Sequence, residues 1–165
     1  MLEAQALSVD FPVYRGILKR QVGHISAVSN VSLALSAGET VGLVGESGCG
    51  KSTFLKALAG LVRRTAGEVR LGDKPVELKD THGMTAFRRQ VQMVFQDPAE
   101  SLNSRHALGQ ILTEPYEIHG LYQEAERIER VEALLASVGL AGTPLSKYPH
   151  EFSGGQRQRI GVARA

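Results

Sequence analysis

Apolar and polar residues alternate in two stretches near the start of the chain. Leu2 to Val9 and Val31 to Leu35 follow the period of two that is typical of half-buried strands. Between them, the basic segment YRGILKRQVGH predicts a solvated loop or the tip of a hairpin, and contact with an acidic partner or lipid headgroups is the alternative. After a turn at Gly38, the mostly apolar run from Thr40 to Val44 predicts a short buried strand.

Helical spacing of apolar residues marks the segments that follow. KSTFLKALAGLV predicts a helix, with its apolar positions at Phe54, Leu55, Leu58 and Leu61. Two more helical patterns lie between Leu108 and Val138, and the clearer one ends at Gly139. The apolar face of that helix comprises Ile128, Val131, Leu134, Leu135 and Val138.

The remaining patterns complete a mixed α/β chain. GEVRLGDKPVEL predicts a β-hairpin, and VQMVF predicts a buried strand that ends at Gln96, Asp97 and Pro98. Pro144 and Pro149 bracket a loop. Strands with a helical middle favour an α/β fold in which the helices form their own subdomain.

Composition narrows the class of protein only slightly. The 165 residues are 42% hydrophobic and 22% charged, which is typical of an ordinary soluble globular protein. The net charge of +2 is too small to indicate nucleic-acid binding by itself, and the single Cys49 excludes an intramolecular disulfide and favours a reducing cytosol. We expect neither a signal peptide nor a membrane helix, so that any work at a membrane would go through a partner.

The segment GESGCGKST carries the strongest chemical signal. It fits the pattern G-x-x-x-x-G-K-[ST] between a predicted strand and a predicted helix, which is the context of a phosphate-binding loop. Glycines let backbone N–H groups surround closely spaced phosphate charges, and the helix N-terminus adds partial positive charge. The predicted nucleotide-binding residues are Gly45, Glu46, Ser47, Gly48, Cys49, Gly50, Lys51, Ser52 and Thr53.

Individual side chains of this loop have distinct expected roles. Lys51 reaches the β- and γ-phosphates of ATP as a point charge, the Ser52 hydroxyl ligates Mg²⁺, and Thr53 donates towards the α-phosphate. Cys49 either fills a variable position or makes nucleotide binding sensitive to oxidation, because a thiolate is favoured near a helix N-terminus.

A second motif, SGGQRQRIGVARA, stands at residues 153–165. Ser153 and Gln156 form the pattern of a capping box, which a simple helix start would also produce. Gly154 and Gly155 leave backbone N–H groups open at the helix start, so that an anion can approach them.

Together these motifs resemble the ATP-binding subunit of an ABC transporter. GESGCGKST resembles Walker A, VFQDP places Gln96 where the family has its Q-loop glutamine, and FSGGQRQR resembles the signature motif, with Phe152 in place of a common leucine. Phe11 stands where the family stacks an aromatic ring on adenine; Tyr14 is the competing candidate, and a core role for Phe11 is the alternative. Gln96 is then implied to contact Mg²⁺ or the attacking water, with a loop-capping amide as the alternative.

The finer resemblance is to importer subunits for dipeptides, oligopeptides and nickel. It depends on QDPAESLNSR, EPYEIHG, KYPHEFSGGQRQRI and the basic YRGILKRQVGH segment, although Ser104 departs from a proline common there. The five histidines are scattered without ligand spacing, so a link to nickel would concern the cargo.

The resemblance implies a P-loop NTPase fold of the ABC type, incomplete here, in three parts. Residues 1–96 would form the antiparallel β subdomain and part of the RecA-like core, 97–152 the helical subdomain, and 153–165 the start of the signature helix. It also implies ATP and Mg²⁺ as cofactors, a second ATPase subunit that receives Ser153, Gly154, Gly155 and Gln156 at its nucleotide, and integral-membrane permease subunits. Nucleic acid is not expected, and the location is the cytoplasmic face of the bacterial inner membrane.

The same resemblance implies that hydrolysis needs more than these 165 residues supply. The family uses an apolar strand that ends in Asp and Glu, and no run after VQMVFQD fits it, so no catalytic residue is assigned within this chain. We expect the chain to be the N-terminal part of a longer subunit, to bind ATP weakly and to hydrolyse it negligibly. A soluble ABC-type ATPase and a non-catalytic module that donates only its signature motif are the alternatives.

Overall fold

The structure is a computed structural model that describes residues 1–17, 19–96 and 102–165. Two compact units, Met1–Val91 and Gln92–Ala165, each have their own hydrophobic core. The boundary that the sequence suggests between residues 96 and 97 stays a prediction. Asp97 and Pro98, which end the predicted strand VQMVF, lie outside the described residues, as does part of QDPAESLNSR.

The first unit contains a four-stranded antiparallel sheet. Its strands are β1 (Leu2–Arg15), β2 (Arg20–Leu35), β3 (Ala66–Leu71) and β4 (Lys74–Pro75), in the order β2-β1-β3-β4. The hairpin predicted from GEVRLGDKPVEL is confirmed as β3 and β4. The two strands predicted at the start of the chain are also confirmed, but both are longer than their hydrophobic alternation indicated.

The extra length of β1 and β2 forms a two-stranded arm. β3 pairs with β1 only as far as Ser8, whereas β1 and β2 remain paired up to Arg15 and Arg20. Pro12 and Gly23 interrupt the hydrophobic alternation here, so the pattern alone ends the first strand too early. We call residues 10–26 the hairpin arm; most of its side chains are exposed.

Two helices contribute side chains to the core of the first unit. α1 (Lys51–Leu58) buries Phe54 and Ala57 against strand residues that include Leu7 and Val69. The helix ends before Leu61, and Leu55 and Leu61 are exposed, so only part of the predicted apolar face is buried. α2 (Thr81–Gln90) was not predicted; it begins at the Asp80 cap and buries Met84 and Phe87.

The predictions of two buried strands are wrong. Residues 40–44 and 91–95 form no strand, and Val44 and Val94 are 93% and 52% exposed. A short apolar run becomes a buried strand only when neighbouring strands supply hydrogen-bond partners on its edges. Within the described residues the sheet has four strands, and neither run pairs with them.

The second unit is helical. It consists of α3 (Leu108–Ile118), α4 (Glu124–Ser137), a 3₁₀ turn at Pro149–Glu151 and α5 (Gly154–Arg164). Both helices predicted between 108 and 138 are confirmed, and Gly139, with φ of 72°, follows the end of α4 as expected. None of the helices in the described part of the chain has the length and apolar character that crossing a bilayer requires.

Candidate functional site

The predicted phosphate loop occupies residues 45–50, directly before α1. Its turn is closed by the Cys49 N–H, which donates to the Glu46 carbonyl at 3.4 Å. Gly48 and Gly50 have φ of 82° and 94°, in the left-handed region that only glycine adopts without strain. Gly48 and Gly50 are therefore required by the loop's own backbone path, before any ligand is considered.

Gly50 also anchors the loop to the sheet. A Cβ atom at this position would lie 2.2 Å from the carbonyl oxygen of Ala27, a residue of β2. Only a glycine permits the start of α1 to approach the strand this closely. The motif gave no sign that Ala27 takes part, because the contact joins residues far apart in sequence.

Lys51 places its ammonium group inside the loop. Its Nζ atom donates to the carbonyl oxygens of Gly45 and Glu46 at 2.7 and 2.6 Å, and lies 3.6 Å from the Cys49 Sγ atom. The first helical donor is the Phe54 N–H, bonded to Gly50 at 2.8 Å. The N–H groups of residues 51–53 therefore precede the first bond of α1 and are free to face an anion.

A cleft of about 270 Å³ lies between the loop and β2. Its lining includes Cys49, Gly50 and Lys51 from the loop and Ala27 to Ser29 from the strand. Phe11 does not line this cleft; it lies on the hairpin arm opposite Ile25 and is half exposed. The structure thus brings together the predicted phosphate-binding residues, and it adds β2 to them, whereas the stacking role of Phe11 stays a prediction.

Gln96 and residues 153–156 belong to the second unit. Gln96 is exposed at the edge of the described segment. Ser153 caps α5 in a complete capping box, since its Oγ atom accepts from the Gln156 N–H at 3.3 Å and the Gln156 side chain accepts from the Ser153 N–H at 2.9 Å. The capping interpretation of this motif is confirmed.

Gly154 and Gly155 lie between the two capping residues, and no contact or backbone conformation within the unit requires glycine at either position. A Cβ atom at Gly154 or Gly155 would have nothing within 4 Å, and neither residue has positive φ. Further along α5, Arg159 donates to the carbonyls of Val138 and Gly139 at 3.2 and 3.3 Å, which ties α5 to the end of α4. The helix start is thus held in place while its two glycines remain open.

The sequence profile of the ABC transporter family matches residues 28–165, which include the loop, α1 and the capped start of α5. The chain belongs to the ABC transporter family. The expected resemblance to the ABC transporter family is confirmed.

Curated relatives of this ABC family chain include ATP-binding proteins of oligopeptide transport and glutathione import. It is 46% identical over its whole length to the oligopeptide transport ATP-binding protein AppF of Bacillus subtilis and 42% identical to OppF of Haemophilus influenzae. It is also 44% identical to the glutathione import ATP-binding protein GsiA of Escherichia coli O157:H7. The chain covers 50%, 51% and 26% of these three proteins, so it spans about half the length of the first two.

Solved structures support the fold of the ABC chain. The ATP-binding cassette MJ0796, in a dimeric post-hydrolysis state bound to ADP and phosphate, matches with a TM-score of 0.83 at 28% identity. The match covers 99% of this chain and 68% of that one. The fold is that of an ABC-type nucleotide-binding domain with an antiparallel sheet and helices, of which the chain forms a part, as the sequence predicts.

Alkylation of Cys49 is expected to block nucleotide binding by this ABC domain. The thiol is exposed, lies 3.6 Å from the Lys51 ammonium and would lie 2.8 Å from a Cβ atom at Gly45, so an added group occupies the loop. Fluorescence titration with an ATP analogue before and after iodoacetamide treatment measures the effect. In Cys49→Ser, the affinity for the ATP analogue should be the same with and without iodoacetamide. If iodoacetamide lowered the affinity of this variant as much as that of the unaltered chain, the effect would come from a residue other than Cys49.

Proposed function

We propose that the chain is the ATP-binding, energy-coupling part of an ABC importer for peptides. The observation that carries the proposal is the loop at residues 45–50, with the Lys51 ammonium inside it and free N–H groups at the start of α1. The peptide class is supported by the 46% identity to an oligopeptide transport protein over the whole chain. Nickel as a cargo follows from the sequence resemblance alone and stays a secondary proposal.

The loop would bind the phosphates of ATP in two ways. The N–H groups of residues 51–53 donate to phosphate oxygens, which the positive end of the α1 dipole favours. Lys51 exchanges its carbonyl partners at Gly45 and Glu46 for the more strongly charged phosphates. Phe11 or Tyr14 would stack on adenine.

Mg²⁺ fits the residues that would hold it. The Ser52 side chain is exposed, and its hydroxyl has no hydrogen-bond partner in the parts of the chain that the structure describes, so its oxygen is available as a ligand. Mg²⁺ prefers one or two protein oxygens beside water and phosphate, and when bound it neutralises charge on the β- and γ-phosphates. Gln96 is the second proposed contact, through its amide oxygen.

The start of α5 would serve a nucleotide that another subunit holds. Gly154 and Gly155 have open surroundings, so no contact within the unit explains two glycines in succession there. Donors at a helix N-terminus suit a terminal phosphate, and the capping box fixes their direction. The proposed partner at this surface is therefore a second ATPase subunit. We also propose membrane permease subunits as partners, at the cytoplasmic face of the inner membrane. Negligible ATP hydrolysis by the 165-residue chain alone stays an expectation.

Co-purification tests the proposed function. A tagged full-length subunit should be isolated from membranes together with multi-spanning permease subunits, and peptide uptake by the cells should be lost with Lys51→Ala. A soluble ABC ATPase would be isolated without a permease, and a non-catalytic module would support uptake despite the substitution. Either of these results would contradict the proposal.

Substitution of Gly154 by alanine separates the proposed contact in trans from folding. A methyl group meets no atom within 4 Å of the chain, so the free energy of unfolding should change by less than about 0.5 kcal/mol. The same methyl group obstructs a phosphate at the helix start, so ATP hydrolysis by the purified complex should fall at least about tenfold. Unchanged hydrolysis, or a loss of hydrolysis that parallels a loss of stability, would contradict the role in trans.

A further inference from the structure

The hairpin arm, residues 10–26, is rich in basic side chains and poor in acidic ones. No Asp or Glu occurs between Asp10 and Glu39, and Asp10 itself accepts a hydrogen bond from Thr65. The end of the arm carries three cations, Arg15, Lys19 and Arg20, and all three are exposed. Within residues 1–17, 19–96 and 102–165, no carboxylate pairs with any of them. The end of the arm thus carries positive charge that no carboxylate of the described residues neutralises.

Two of these cations face each other across the hairpin. Arg15 and Arg20 are direct cross-strand partners, so their side chains leave the same face of the arm. Like charges opposite each other destabilise a strand pair, unless an anion lies between them. Two guanidinium groups on one face match the geometry of a phosphate group, which each can bind through two N–H donors.

Exposed apolar side chains occur in the same part of the arm. Ile17, in the turn between the strands, is fully exposed at 103%, and Tyr14 in β1 and Val22 in β2 are each 57% exposed. An isolated two-stranded hairpin is marginally stable in water, and the arm extends about 20 Å beyond the last pair with β3. A contact that buries Ile17 while it neutralises the arginines would stabilise the arm.

We propose that the end of the hairpin arm docks on an anionic lipid bilayer. Ile17 enters the interface between headgroups and acyl chains, Val22 lies at the headgroup level, and Arg15, Lys19 and Arg20 bind lipid phosphates. An apolar residue at the apex with cations around it fits a bilayer, which presents both surfaces in this order. An acidic protein or a nucleic acid would use the cations and leave Ile17 exposed.

Vesicle sedimentation at low ionic strength tests the docking. The chain should bind vesicles that contain phosphatidylglycerol and not vesicles of phosphatidylcholine alone. Each cation near an anionic surface contributes about a fivefold change in partitioning, so replacing Arg15, Lys19 and Arg20 with glutamine should weaken binding about a hundredfold. Ile17→Ser should weaken it roughly tenfold with no change in charge.

A matched control variant carries the same net charge. Arg63, Lys74 and Lys79 are exposed cations of the same unit without ion pairs in the described chain, and their replacement with glutamine should leave partitioning within about threefold. Circular dichroism checks that all variants fold. An equal loss in the control, or binding that Ile17→Ser does not affect, would overturn the proposal.

Soluble competitors distinguish the source of the anion. Glycerol phosphate at millimolar concentration should not displace the chain from vesicles, because it offers no apolar layer for Ile17. If it does displace the chain, the arm binds free phosphate groups and not a bilayer. Polyglutamate binding that needs the three cations, without any vesicle binding, would indicate an acidic protein partner and contradict the lipid proposal.

Discussion

Replacement of Lys51 with alanine is expected to weaken ATP binding about a hundredfold. The Nζ atom already lies within the loop, 2.7 and 2.6 Å from the carbonyls of Gly45 and Glu46, where the phosphates would bind. Each hydrogen bond to a charged group contributes about 1.5–3 kcal/mol, and every 1.4 kcal/mol is about tenfold in affinity, so loss of two such bonds at the lower figure weakens binding about a hundredfold. Titration with a fluorescent ATP analogue measures the change.

Lys56→Ala is the matched control for this prediction. Lys56 is on the same helix, is exposed, and has no ion pair in the described residues. Both variants lose one positive charge, so any general effect of charge on a polyanionic ligand is common to them. The affinity of Lys56→Ala should stay within about threefold of the unaltered chain. If the two variants bind ATP equally well, the proposed place of the phosphates is wrong.

The helical unit could be predicted from sequence because its signals are local. α4 has its buried residues, Val131 and Leu135, four positions apart and ends before a glycine with φ of 72°. α5 is capped by Ser153, which forms a capping box with Gln156, three residues further along the chain. α2 was missed because Met84 and Phe87 are its only fully buried residues and Gly83 lowers its helical propensity.

The buried strands could not be predicted because burial of an apolar run depends on distant residues. Residues 40–44 and 91–95 are mostly apolar, which indicates that their burial would be favourable. The pattern does not identify the part of the fold that would bury them. In the described chain they do not pair with the sheet, and Val44 and Val94 remain exposed. Their apolar side chains would suit the faces of a larger sheet.

The arrangement of the candidate phosphate-binding residues was predictable to the extent that they are consecutive. The nine residues at 45–53 form one loop and one helix start, as the motif indicates, since the chemistry of phosphate binding is local. The contribution of β2 to the cleft was not predictable, because Ala27 and Ser29 precede the loop by about twenty residues and have no chemical signature.

Gly50→Ala should be the most damaging small substitution in the loop. The new methyl carbon would lie 2.2 Å from the Ala27 carbonyl oxygen, at a φ of 94° that disfavours any side chain. Ala27 cannot easily move, because its neighbours Ser26 and Val28 in β2 are paired with β1. We expect a loss of about 2–5 kcal/mol in the free energy of unfolding, or a loop that leaves β2 and binds ATP at least about tenfold more weakly.

Gly38→Ala isolates the backbone contribution to this loss. Gly38 has φ of 75°, close to that of Gly50, but a Cβ atom there would have nothing within 4 Å. This variant should lose about 1–2 kcal/mol from the left-handed conformation alone and keep its ATP affinity. Urea unfolding and ATP titration of both variants give the difference, which is the effect of the contact with Ala27. Of these two glycines, only Gly50 lies against the strand. Equal stability and ATP affinity in the two variants would therefore mean that the close approach of α1 to β2 does not affect the nucleotide site.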